Sequence, residues 1–268
     1  MKRMTRILGV FLCLVMVFSG SAFAAGNAII DTSTSSEGYF TVEYNHYIGV
    51  KMKVGVTYAG ETKYYNYTPG EESSYTFANG DGNYTIALYR NVYGTKYSQV
   101  TSTYVAVETV DPMAPYLVST DEITFSAEDA VGMTTAALCE GLETDEEKLV
   151  MFYNYISKYF KYDYNFAAKV RSGEIKNYTP DTNLALETEK GVCYDFSALF
   201  AAMCRSQDIP CAVAKGYFGG SYHAWNMVYM DEEWIAVDMT AAVCKRYIPA
   251  DELSDCVVDL ARYTDYSF

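Results

Sequence analysis

The chain has 268 residues, half of them hydrophobic, with 20 basic and 34 acidic side chains and a formal charge of -14. Such a surface repels phosphate backbones and anionic lipid, which excludes nucleic-acid binding and favours basic or neutral partners, although solubility alone is a simpler use of the charge. The length suits two small domains or one large one.

The start reads as an export signal. Lys2, Arg3 and Arg6 precede an apolar run from Ile7 to Phe18, and Ala22-Phe23-Ala24 supplies a small-x-small cleavage pattern. Residues 1–24 are therefore expected to be removed and the protein secreted, extracellular or bound at the cell surface. The run is short for a bilayer, and no later stretch is apolar enough for an integral membrane segment.

From residue 25 to 110 the pattern is that of an all-β sandwich domain. Nearly half of the 27 tyrosines lie between Tyr39 and Tyr104, mixed with Val and Thr, types that suit a pleated surface. Tyr39, Thr41 and Glu43 alternate with Phe40, Val42 and Tyr44, and Val54, Val56 and Tyr58 share a face. Breakers at Ala59-Gly60, Pro69-Gly70, Asn79 to Gly82 and Tyr93-Gly94 mark the turns. Nothing in this half resembles catalytic chemistry, and His46 reads as a loop or strand histidine without a ligand role.

Asp111-Pro112-Met113-Ala114-Pro115 begins a linker and helical lead-in, residues 111–143. A second domain, 144–268, opens with a capping box of Thr144 and Glu147, followed at helical spacing by Leu149, Phe152, Tyr153, Ile156 and Phe160. Residues 169–190 are polar and irregular, a loop beside the next element. Cys193 then stands where a helix begins, with Phe196, Leu199, Phe200 and Met203 as its buried stripe. Strands are expected over Cys211 to Tyr217, Tyr222 to Met230 and Trp234 to Thr240, with Gly219-Gly220 turning the first into the second.

This segment carries the chemistry. A cysteine in the first turn of a helix meets unpaired amides and the positive end of the dipole, which favour the nucleophilic thiolate. Cys204, near the other end of that helix, lacks both aids. Period-two alternation places His223, Trp225, Met227 and Tyr229 on one face. A turn at Met230-Asp231 would put Asp238 directly opposite His223; a turn at Asp231-Glu232 would put it diagonally on the same face. Either register lets the carboxylate orient the imidazole, whereas an odd-length turn would separate them.

The other cysteines read more plainly. Cys204 and Cys211 are small core residues, and Cys244 with Cys256 is the one disulfide worth considering. No CxxC occurs, so neither a zinc site nor a redox pair is expected.

GVCYDFSALFAAMCRSQDIPCAVAKGY, followed by HAWNMVY and WIAVDMT, resembles the core of the transglutaminase-like superfamily. The match covers roughly Thr144 to Thr240. It implies a papain-like α+β catalytic domain with the triad Cys193, His223 and Asp238, needing no metal or cofactor, and acting on a protein or peptide substrate, cell-surface material included. Asp208 departs from the usual glycine, and Met227 from a common acidic residue. The N-terminal region resembles sandwich modules of secreted bacterial members. Trp225, Tyr162 and Tyr178 are expected near the substrate, with the Cys193 amide as one oxyanion donor and Tyr162 or Tyr178 as candidates for the second. Peptidase or amidase action is favoured over amine crosslinking, since small bacterial relatives often lack the calcium-binding domains of animal crosslinkers. The competing expectation is a catalytically silent surface binding or adhesion protein with a vestigial triad.

Overall fold

A computed structural model describes residues 28–45, 49–176 and 178–268. The expected signal segment and His46 lie outside the described residues. Strands β1 (Ala28–Asp31), β2 (Tyr39–Tyr44), β3 (Met52–Tyr58), β4 (Glu61–Tyr67), β5 (Ser73–Thr76), β6 (Gly82–Tyr93) and β7 (Lys96–Val107) form the N-terminal region. They make two antiparallel sheets, ordered β1-β2-β5 and β4-β3-β6-β7. Burial along β2 follows the predicted alternation, with Phe40, Val42 and Tyr44 inside. Those side chains share a core with Val54, Phe77, Tyr84, Ile86 and Leu88. The β3–β4 hairpin turns at Ala59 and Gly60, both left-handed at φ 49° and 87°. That is the turn whose twist matches paired strands, and it is why a glycine stands there.

The linker is built into the structure rather than hanging between halves. Tyr116 donates a 2.9 Å hydrogen bond to the Ala78 carbonyl and packs edge-on against Trp234. Beyond it come α1 (Ala130–Leu138), α2 (Asp145–Tyr159), β8 (Lys161–Tyr162), α3 (Tyr164–Ser172), α4 (Thr182–Thr188), β9 (Lys190–Gly191) and α5 (Cys193–Arg205). The chain continues with β10 (Cys211–Phe218), β11 (Ser221–Met230), β12 (Glu233–Val237), α6 (Met239–Val243) and β13 (Tyr263–Ser267). The sheet order is β12-β11-β10-β13, and α5 lies at the centre against α1, α2, α4, α6, β10 and β11. The region is α+β, as expected.

Helix starts follow the caps. The Thr144 hydroxyl accepts from the Glu147 amide, and the Glu147 carboxylate accepts in return from the Thr144 amide. Asp129, Asp163 and Asp181 cap α1, α3 and α4 in the same manner. The last two correct the expected 169–190 loop, because a helix of seven to nine residues spans too few turns for an apolar repeat to mark it and relies on its cap. Since α1 packs on α4 and α5, part of the expected lead-in belongs to the helical region, which starts before residue 144.

At the exit of α5, the buried Arg205 donates to the carbonyls of Cys211 (2.8 Å) and Val118 (2.7 Å), tying helix, strand and linker together. Asp208 there has φ 59°, the left-handed conformation that explains a glycine preference and that an aspartate tolerates. Cys204 and Cys211 are core residues. Cys244 and Cys256 are not joined: both are free, Cys244 exposed after α6 and Cys256 buried.

Candidate active site

Three local devices fix Cys193. The short parallel pair β8 and β9 sets Tyr162 opposite Gly191, and the Asp163 amide donates to the Gly191 carbonyl at 2.8 Å. Asp195, in the first turn of α5, accepts the Val192 amide at 2.8 Å through one oxygen and the Tyr178 hydroxyl through the other. Gly191 has to be glycine, since a Cβ there would lie 2.6 Å from the Asp195 Cβ. Burial pushes the Asp195 carboxyl up to about 6, against the pull of the Val192 amide. The turn before the cysteine is thus held from both sides, and Cys193 begins the helix half-buried.

His223 lies on β11 opposite Gly216 of β10. The β11–β12 hairpin turns through Asp231 and Glu232, both left-handed at φ 50° and 65°. This choice gives the pair Asn226 with Val237 and places Asp238 diagonally from His223, the second of the two expected registers. The imidazole Nε2 lies 2.9 Å from Asp238 Oδ2, and Cys193 lies near enough to the same ring to help it hold a proton. With Nε2 held by the carboxylate, Nδ1 is the nitrogen left for sulfur. The third expected strand ends at Val237; Asp238 instead caps α6, its Oδ1 accepting the Ala241 amide at 3.0 Å.

The electrostatics follow from burial. The side chains of His223 and Asp238 are 12% and 2% exposed. Burial alone would push the imidazole down, but the bond and charge of Asp238, aided by Cys193, outweigh it and raise the value to about 9 from the ordinary 6.5. Asp238 moves the other way: burial would raise it, but His223, Ala241 and Tyr263 hold it below the carboxylate range. The raised histidine stabilises the fold fully below about pH 6.5, a contribution lost as pH climbs through about 9. The depressed aspartate contributes above its ordinary 3.8, and that contribution is lost as pH falls through its lower folded value.

The other expected site residues separate. Tyr162 is half-buried beside the thiol; burial first, then the charge of Cys193, pushes its phenol up to about 12, so it remains a donor. Tyr178 is engaged by Asp195 and supports the turn. Trp225 is fully buried, packed on Tyr263 at 4.7 Å and nearly parallel to the His223 ring at 6.1 Å, so it backs the histidine and cannot touch a substrate. Met227 is likewise a core residue.

Residues unforeseen from the sequence complete the frame. Asn226, fully buried, donates to the Ser197 carbonyl at 2.9 Å and locks β11 to α5. Lys215 bonds Glu122 at 2.9 Å and the Tyr194 hydroxyl at 2.7 Å, pinning the side chain next to Cys193. Tyr263, beyond the expected strands, donates to Asp238 Oδ2 at 2.8 Å. Among the described residues, no three of His, Cys, Asp and Glu converge to hold a metal ion, and no helix is long and apolar enough to cross a membrane.

Residues 133–239 match the model of the transglutaminase-like superfamily. Kyphoscoliosis peptidase of Homo sapiens is 28% identical over 127 residues, which cover 43% of this chain and 18% of the relative. The Mus musculus protein of the same name is 29% identical over 115 residues, covering 38% and 17%. The chain therefore spans less than a fifth of the length of these curated relatives. Among solved structures, a TGase shares 21% identity at a TM-score of 0.34, covering 45% of this chain and 33% of that one. The periplasmic domain of TgpA from Pseudomonas aeruginosa shares 13% identity at 0.35, covering 77% and 73%.

Proposed function

We propose that the chain, whose residues 133–239 match the transglutaminase-like superfamily, is a thiol-dependent acyl-transfer enzyme with the triad Cys193, His223 and Asp238. His223 accepts the thiol proton, and the resulting thiolate attacks a carboxamide or peptide carbonyl. The negative oxygen that forms faces the amide of Cys193 at the start of α5, with the Tyr162 hydroxyl as second donor. The imidazolium protonates the departing amine, leaving a thioester on Cys193. His223 then draws a proton from water, which hydrolyses the thioester and frees the thiol. The observation carrying this reading is the 2.9 Å bond that fixes His223 on Asp238, near a cysteine that begins α5.

Water is the acceptor we favour over an amine, and the peptidase name of the curated relatives is consistent with it. The substrate is a protein or peptide, cell-surface material included, met after export and cleavage of residues 1–24. The test offers the purified protein a glutamine-containing peptide with and without a labelled primary amine. Hydrolysis should exceed amine incorporation; the reverse would make the protein a crosslinker. In the same assay, turnover should fall on the alkaline side near pH 9, where His223 loses its proton and with it the acid needed by the leaving amine. Turnover that holds steady well beyond that pH would remove His223 from the acid role.

A further inference from the structure

We propose that Tyr263 is a positioning residue of this site: its hydroxyl, delivered by the C-terminal strand, holds the Asp238 carboxylate in the orientation that fixes His223. The inference rests on the acyl-transfer reading above and adds a member that the superfamily match, ending at residue 239, does not include.

The geometry is specific. Asp238 Oδ2 accepts two bonds at once, from His223 Nε2 at 2.9 Å and from the Tyr263 hydroxyl at 2.8 Å, while Oδ1 takes the Ala241 amide at 3.0 Å. The carboxylate is almost wholly buried, so each oxygen relies on protein donors in place of water. Of the three donors, the amide fixes one oxygen only, and the imidazole is the group to be oriented. The phenol alone constrains Oδ2 independently of the histidine.

Tyr263 is itself held firmly. Its ring packs on Phe218 at 4.8 Å and on Trp225 at 4.7 Å, and it is 6% exposed. Strand β13 pairs with β10, where Phe218 faces Tyr263. Gly216 makes this approach possible: a Cβ there would lie 2.6 Å from the Tyr266 Cβ and 2.8 Å from the Thr264 carbonyl oxygen. Burial and the neighbouring Asp238 push the phenol above its ordinary range, so it remains a donor wherever the enzyme operates. The other titratable groups near the carboxylate are Tyr153 of α2 and Cys244 after α6.

Tyr263→Phe in the full chain removes one oxygen and keeps the ring packing. Turnover on a glutamine-containing peptide should drop about tenfold in kcat with KM changed by less than about twofold, the effect of losing a charged hydrogen bond made to the catalytic apparatus rather than to substrate. The acid limb of its pH profile should move up, because the ionised form of Asp238 has lost a donor. An unchanged kcat and acid limb in a variant of a wild-type enzyme that depends on His223 would overturn the positioning role alone. So would a loss of kcat that tracks a lower melting temperature with the acid limb unmoved, since that is a structural effect. Wild-type turnover indifferent to Cys193→Ala and His223→Ala would overturn the triad and this inference together.

Discussion

Cys193→Ala is expected to abolish acyl transfer, by about 10⁴-fold or more, while the fold stands. The side chain is only half-buried, and what places it is the backbone: the β8–β9 pair, the Asp195 cap and the start of α5. Removing one sulfur from a partly solvated position should change stability by no more than about 1 kcal/mol. Cys204, fully buried in the last turns of the same helix with its thiol pushed well up by burial, cannot replace it. The triad acts as a unit, so adding His223→Ala to the variant should cost little more, a non-additivity that independent contributions would not produce. Turnover and thermal melting of the two variants test both statements.

Asp238→Asn should be nearly as damaging, with a loss of about 10³- to 10⁴-fold. Asp238 accepts at both oxygens, from His223 and Tyr263 on one and from the Ala241 amide on the other. An asparagine has one acceptor oxygen and one NH₂. Turned one way, the NH₂ confronts the imidazole and phenol, and His223 is forced into the wrong tautomer. Turned the other way, it confronts the Ala241 amide and uncaps α6. Either arrangement leaves a buried donor unpaired at a cost of about 1–3 kcal/mol, so melting should fall together with kcat. A variant that retained activity and stability would show that the carboxylate neither orients the base nor caps the helix.

The sequence made the helix start at Cys193 legible because a helix start is a local event. Gly191, Cys193 and the Phe196-Leu199-Phe200-Met203 stripe lie within a few turns of one another. The relation of His223 to Asp238 was legible as far as parity goes. Choosing between the two registers required knowing that Asp231 and Glu232 both adopt left-handed conformations, which neither residue type announces. Period-two alternation at Trp225 reports which side chains share a face and not what covers that face. Here the cover is Tyr263 and Tyr266 of β13, a strand whose residues, Tyr263 to Ser267, show no apolar alternation and which pairs with a partner some fifty positions earlier. Tyr263 was missed for the same reason. Helices α3 and α4 were missed although Asp163 and Asp181 stand at their caps, because the apolar pattern behind each cap is too short to register. Cys244 with Cys256 was the one pairing that count and compartment left worth considering; one lies on the surface and the other in the core.

The most direct measurement is the rate of iodoacetamide labelling of the full chain at about pH 6, located by mass spectrometry, in the wild type and in His223→Ala. A half-buried cysteine at a helix start, near a histidine held by a carboxylate, should react there, and the reaction should concentrate on Cys193. The histidine variant should react at least about tenfold more slowly at that site. Equal rates at Cys193 in both proteins, or an inert Cys193 beside a labelled Cys244, would contradict a working Cys193–His223–Asp238 triad.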